Sequence, residues 1–191
     1  MPLLDDDRVA RLVKARQEVE QQVSGAYDEV LDEVVGRIRG SGSIGKLDIG
    51  ALLFWKRLQA NTPWAAQLHA MPEVQVRRIT AVAVQAVTDE LLDTPEAARQ
   101  GRSALSPLPG LSTGDALASA LLLAAAPERM AVYDRRAQTA LQRLGVELSP
   151  APGRFGRYMD LVEQLRTQAA AVAGQPWKAR DVDLALYWLG G

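Results

Sequence analysis

The sequence predicts an all-α protein, and three observations carry that prediction. Apolar residues recur at three- and four-residue intervals along most of the chain. Helix-starting residues (Asp, Thr, Pro) precede the periodic stretches. No run alternates with period two for long enough to make a strand, and no internal repeat is visible. The 191 residues, 48% of them hydrophobic and 24% charged, fit a single domain, 1–191, with a sizeable core.

The elements follow in order. Val9, Leu12, Val13, Val19 and Val23 form one stripe of a first helix, with Asp5, Asp6 and Asp7 at its positive end. A second helix is expected from about Tyr27 to Ile38, carrying Val30, Leu31, Val34 and Val35 on one face. GSGSIGK, residues 40–46, reads as a flexible connector, because it lacks the spacing and the Ser or Thr of a phosphate-binding loop. Asp48 is expected to cap a helix running through Leu58, and Thr62-Pro63 opens another. A longer one runs from Glu73 to about Leu92.

GRSALSPLPGLSTG, residues 101–114, is the strongest turn signal and separates two helical stretches. Thr113 or Asp115 then opens LASALLLAAA, which is apolar nearly all round and therefore expected at the centre of the fold. Pro127 ends it, and helices are expected at 134–144, 156–173 and 180–189.

Composition excludes several classes of chemistry. Without cysteine there is no thiolate nucleophile, disulfide or Cys-based metal site, and a single histidine, His69, cannot build a multi-histidine one. The start, MPLLDDD, lacks the basic and apolar regions of a signal peptide, and no apolar run is long enough to span a bilayer. A cytoplasmic protein with no membrane partner is expected. The net charge of −1 is unevenly spread: residues 1–36 carry −5 and residues 37–191 carry +4. A local basic surface is thus compatible with phosphate contacts, while the acidic N-terminal helices offer a face to a protein partner.

One constellation carries chemistry. Leu108-Pro109-Gly110-Leu111-Ser112 lies between two helices, and Asp134 follows in Val132-Tyr133-Asp134-Arg135-Arg136. A tight turn exposes backbone N–H groups at the start of the next helix, where they favour a phosphate oxygen. An anion-binding turn and a carboxylate thus stand at opposite ends of one buried helix. The bland alternative is a Pro-Gly turn between packed helices, with Asp134 as an ordinary cap.

The stretch LPGLSTGDALASALLLAAAPERMAVYDRRA, residues 108–137, resembles the helix-hairpin-helix superfamily of base-excision DNA glycosylases. Its nearest likeness is to bacterial proteins with an 8-oxoguanine-glycosylase-like fold. The resemblance spans about residues 105–145 well and 48–190 more loosely. It implies a two-lobed helical fold, with a hairpin lobe at about 48–145 and a packing lobe of 1–47 plus 146–191. It implies a hydrolase that binds double-stranded DNA, turns a damaged base out of the stack and cuts its N-glycosidic bond, with no cofactor and no metal. Asp134 matches the catalytic carboxylate. Gly110, Ser112 and Gly114 would offer main-chain donors to a phosphate, and Arg135 and Arg136 would stand beside the site or simply face solvent.

Two departures matter. Ser112 replaces the second hairpin glycine, so the turn is expected to end at Gly114. The Schiff-base lysine of bifunctional members is matched by Gly114 and Asp115, which predicts a monofunctional enzyme with water as nucleophile. Asp115 would also repel a phosphate. Trp55, Trp64 and Tyr133 are candidates for a base pocket, with core packing as the alternative, and Trp188 is expected in the core. A non-catalytic module that keeps the fold and binds DNA or protein, and a purely structural bundle, are the competing classes. Space at Asp134 discriminates them.

Overall fold

A computed structural model describes residues 2–59 and 62–191, and among these it contains ten α-helices, one 3-10 turn and no strand. Helix α1 (Asp6–Gln22) begins where the acidic run predicts, with the Asp5 carboxylate accepting the Arg8 N–H at 2.9 Å. The expected second helix divides into a 3-10 turn (Gly25–Asp28) and α2 (Glu29–Ser41). Ser24 takes the Ala26 N–H and so starts the short turn first.

Helix α3 (Lys46–Trp55) begins before Asp48, not after it. Asp48 sits in its first turn and reaches back to the Gly45 N–H at 2.8 Å, the acid half of a capping box rather than the cap itself. The helix stops at Trp55, short of Leu58, because Arg57 turns left-handed at φ 53°. The preceding connector is no flexible tether. Ile44 is fully buried, its N–H donates to Thr80 at 2.9 Å, and the Thr80 hydroxyl donates back to the Ile44 carbonyl.

Helices α4 (Pro63–Ala70) and α5 (Glu73–Thr88) follow, α5 ending a turn earlier than expected. Helix α6 (Thr94–Leu105) is absent from the sequence-based expectation, and it absorbs the first third of the expected turn region. Asp93 caps it through the Glu96 N–H. Gly101 marks close packing rather than a turn, since a β-carbon there would lie 2.6 Å from a Val87 methyl. The true hairpin turn is residues 106–115. Beyond it lie α7 (Ala116–Ala125), α8 (Arg135–Arg143), α9 (Arg154–Ala173) and α10 (Ala179–Leu189), close to expectation.

Every residue of α7 from Leu117 to Ala125 is buried, so the all-apolar helix does occupy the centre. Around it, α5 packs on α6 and α2 on α3 and α7, while α1, α8 and α9 pack on α10. Helix α2, in the stretch assigned to the packing lobe, thus lies against hairpin-side helices, and α8 lies against α10. One apolar core runs through both groups, and α9 joins them through α6. Among the described residues no helix is long and apolar enough to cross a membrane.

Candidate functional site

The segment between α7 and α8 has no regular structure, yet it is buried from Met130 to Tyr133. Its backbone groups must therefore find side-chain partners. Val132 N–H donates to Asp183 at 3.0 Å, the Tyr158 hydroxyl donates to the Val132 carbonyl at 2.8 Å, and Tyr133 N–H donates to Ser119 at 2.9 Å. Side chains from α10, α9 and α7 thus fix the strap that ends at Asp134.

Asp134 spends its two oxygens differently. Oδ1 accepts the N–H groups of Arg136 and Ala137 at 2.9 and 3.0 Å, capping α8. Oδ2 accepts Lys56 Nζ at 2.6 Å, with only 9% of the lysine and 19% of the aspartate side chain exposed. Burial pushes the Asp134 carboxyl up, but Lys56 and the two amides outweigh it and hold it below its ordinary value. It is a carboxylate at neutral pH.

Lys56 reaches this carboxylate from just past the end of α3. Its ammonium lies 5.5 Å from the centre of the Trp55 ring and 5.9 Å from that of Tyr187. The pair borders a small cavity shared with Tyr27, Arg180, Asp183 and Leu184. Its volume is about 10 Å³, enough for one water molecule. Arg180 crosses it, pairing with Asp183 on one side and with both Asp28 oxygens at 2.7 and 2.8 Å on the other. Burial raises the Asp183 carboxyl, a shift that Arg180 opposes without reversing.

Lys56 is the residue that sequence reasoning missed, because the resemblance directs the search for a lysine only to the helix after the hairpin. A signal was present: it is one of four lysines among 22 cations, and it directly follows Phe54 and Trp55. An ammonium beside large rings is a candidate for burial with a partner.

The hairpin forms a second feature. Gly110 has φ 79° and lies under the indole of Trp64, so this glycine seats the turn. Ser112, Thr113 and Gly114 are exposed, and Gly114 has φ 76° with open space where a β-carbon would stand. They line a groove of about 440 Å³ together with Arg99, Arg102, Arg154 and the start of α9. Asp115 does not face this groove as a bare charge. Arg102 donates to one of its oxygens at 2.9 Å, and Arg154 to the other at 2.9 and 2.6 Å. Arg102 also donates to the carbonyls of Leu111 and Gly114, fixing the turn.

The remaining candidates separate. Arg135 and Arg136 are exposed beside Asp134, Arg136 with its guanidinium 4.2 Å from the Tyr187 ring centre. Of the proposed ring residues only Trp55 lines the Asp134 cavity. Trp64 supports the hairpin, and Tyr133 is buried with its ring centre 4.8 Å from that of Tyr158. Tyr27 and Tyr187 take their places. His69 is exposed, and Trp188 is half-buried with its N–H on Glu18 at 2.7 Å. Among the described residues no cluster of three His, Asp or Glu side chains could hold a metal ion. Comparison with known proteins finds no family model, curated protein or solved structure that matches the chain.

Proposed function

We propose that the protein is a DNA glycosylase of the helix-hairpin-helix type, with Asp134 as its catalytic carboxylate. The observation that carries this reading is the arrangement of Asp134 itself. One oxygen is held by the amides opening α8, the other by Lys56, and the group stays ionised although it is largely withdrawn from water. A fixed carboxylate of this kind stabilises the positive charge that develops on a sugar as its base departs. The 106–115 turn and the arginines beside it supply the phosphate-facing surface, with Asp115 neutralised by two guanidiniums.

Water remains the nucleophile in this reading. Lys56 Nζ is taken up by the Asp134 carboxylate at 2.6 Å, and it stands just past the end of α3 rather than in the helix after the hairpin. The cavity beside the pair has room for one water, which Asp134 would orient. A second reading, a non-catalytic DNA-binding module, is favoured by that same volume. Ligand pockets run to about 300–1,000 Å³, and the closed cavity admits no base.

The test is a single-turnover assay at low salt on duplexes carrying 8-oxoguanine, uracil, alkylated purines or an abasic site. Base release by wild type that is lost in Asp134→Asn, with no borohydride-trapped adduct, supports the monofunctional glycosylase. DNA binding without release from any duplex supports the module.

A further inference from the structure

Deepening the glycosylase reading, we propose that the 3-10 turn Gly25–Asp28 is a door carrying a built-in stand-in for the base. In place of that door the site takes a planar ring bearing carbonyl oxygens. Tyr27 and Asp28 are adjacent, and together they present an aromatic ring and two acceptor oxygens. The Tyr27 ring lies 6.2 Å from that of Trp55 and 5.9 Å from that of Tyr187, centre to centre. The Asp28 oxygens both sit on Arg180 Nη2. Both ring contacts are tilted, at 55° and 46°, and a flipped oxo-base would make the same two kinds of contact, packing against the rings and accepting from the guanidinium.

A second observation points to a ligand. Trp55 is 7% exposed, and its indole N–H is buried with no hydrogen-bond partner among the described residues. The Nε of Arg180, another residue lining the cavity, is likewise buried and unpartnered. Both donors belong to residues that line the cavity, and a donor without an acceptor there carries a cost that a bound acceptor, whether water or ligand, removes. Tyr27 and Asp28 leave both unused, whereas a ring with two carbonyls offers acceptors for them.

The turn lies at the surface of the fold, with Tyr27 as its one side chain packed against the core. None of its four residues is buried, and Gly25 at its start has no neighbour near its missing β-carbon. What holds it shut is the Asp28–Arg180 pair, the two ring contacts and the packing of Tyr27 against the core. Tyr27 lines the one-water space beside Lys56 and Asp134, so its departure enlarges that space next to the carboxylate.

The test uses isoxanthopterin, a fluorescent planar ring with two carbonyl groups, titrated into the protein. A closed door lowers apparent affinity by the fraction of molecules that are open, so Tyr27→Ala/Asp28→Ala binds about tenfold tighter than wild type or better. Adding Trp55→Phe, which keeps a ring and deletes the N–H, reverses most of that gain. The proposal is overturned if the unlatched variant melts cooperatively yet binds no tighter, or if Trp55→Phe changes nothing. Should the variants fail to fold, hydrogen exchange on wild type decides. Saturating isoxanthopterin speeds exchange of the 25–28 amides if the turn is a door and leaves it unchanged if it is not. The glycosylase reading fails separately: ring binding gated by the turn, with no base release from any duplex, keeps the door and discards the enzyme.

Discussion

Lys56 and Asp134 are 78 positions apart in sequence and 2.6 Å apart in the fold. The contact joins the end of α3 to the start of α8, and neither partner is free to leave water cheaply without the other. Asp134 keeps two further donors if the lysine is lost, whereas Lys56 has only the ring faces of Trp55 and Tyr187. The pair is therefore asymmetric, and substitutions on its two sides have different consequences.

Lys56→Met keeps the stem packed against both rings but leaves the Asp134 charge to the two α8 amides alone, so it costs about 1–3 kcal/mol. Asp134→Asn retains a side-chain oxygen to cap α8 but no longer answers the ammonium, and it costs more than Lys56→Met. Asp134→Leu loses the cap as well and leaves a buried cation unpaired, at a cost of about 3–5 kcal/mol. Urea denaturation of the three variants checks that order. In the base-release assay Asp134→Asn falls by about 100-fold or more, the scale seen when a group stabilising transition-state charge is removed.

Asp134 and Asp183 make opposite contributions to the pH dependence of stability. The Asp134 carboxyl is lowered in the fold, so its contribution is present above the unfolded carboxylate value of about 4 and is lost on acidification. The Asp183 carboxyl is raised, chiefly by burial. Its contribution is full below about 4 and is lost as pH rises toward its folded value. Relative to wild type, Asp134→Asn therefore loses stability as pH climbs toward about 4, whereas Asp183→Asn gains it as pH climbs from about 4. Paired denaturation curves at acid and neutral pH measure both slopes, and equal slopes for the two variants would refute the assignment.

The sequence made some of these features readable and concealed others for physical reasons. Helix α7 was legible because a run with no polar face has only the interior to occupy. The Asp134 cap was legible because capping is local. Helix α6 was not, since its interior Gly101 is indistinguishable in sequence from a turn glycine until Val87 and Leu122 are found against it. The Lys56–Asp134 contact, the Arg180 bridge from Asp28 to Asp183, and the placement of Tyr27 over Trp55 all join residues far apart in the chain. No periodicity encodes such pairings, and a lysine sought by spacing from the hairpin is sought in the wrong helix.

Asp115 allows stability and DNA affinity to be separated. It is 9% exposed and holds Arg102 and Arg154 together at the hairpin groove. Asp115→Ala leaves two guanidiniums facing one another, and the fold loses about 3 kcal/mol. The same change adds a unit of positive charge to the surface proposed to face phosphate, so duplex affinity at low salt increases. The slope of log affinity against log salt steepens by about 0.9 for each additional phosphate neutralised. Fluorescence anisotropy across a salt series measures it. Weaker binding by a folded Asp115→Ala protein would place the DNA elsewhere.

Gly110 and Gly114 share a left-handed backbone and differ in surroundings, which separates two costs of substitution. At Gly114 a β-carbon meets open space, so Gly114→Ala costs about 1–2 kcal/mol for the backbone conformation alone. At Gly110 the β-carbon would run into the Trp64 indole, adding a steric cost to the same backbone term. Gly110→Ala is thus the more damaging by about 1–3 kcal/mol. Trp64→Ala removes the obstacle, so the double variant is more stable than the sum of its parts requires, with a coupling of about 0.5–3 kcal/mol. A double-mutant cycle by thermal or urea denaturation measures that coupling. The same cycle run on duplex affinity tests whether the seat matters to function: if Trp64 holds the turn for phosphate, Gly110→Ala weakens binding and Trp64→Ala does not restore it. Restored affinity in the double variant would mean that the turn binds without its support.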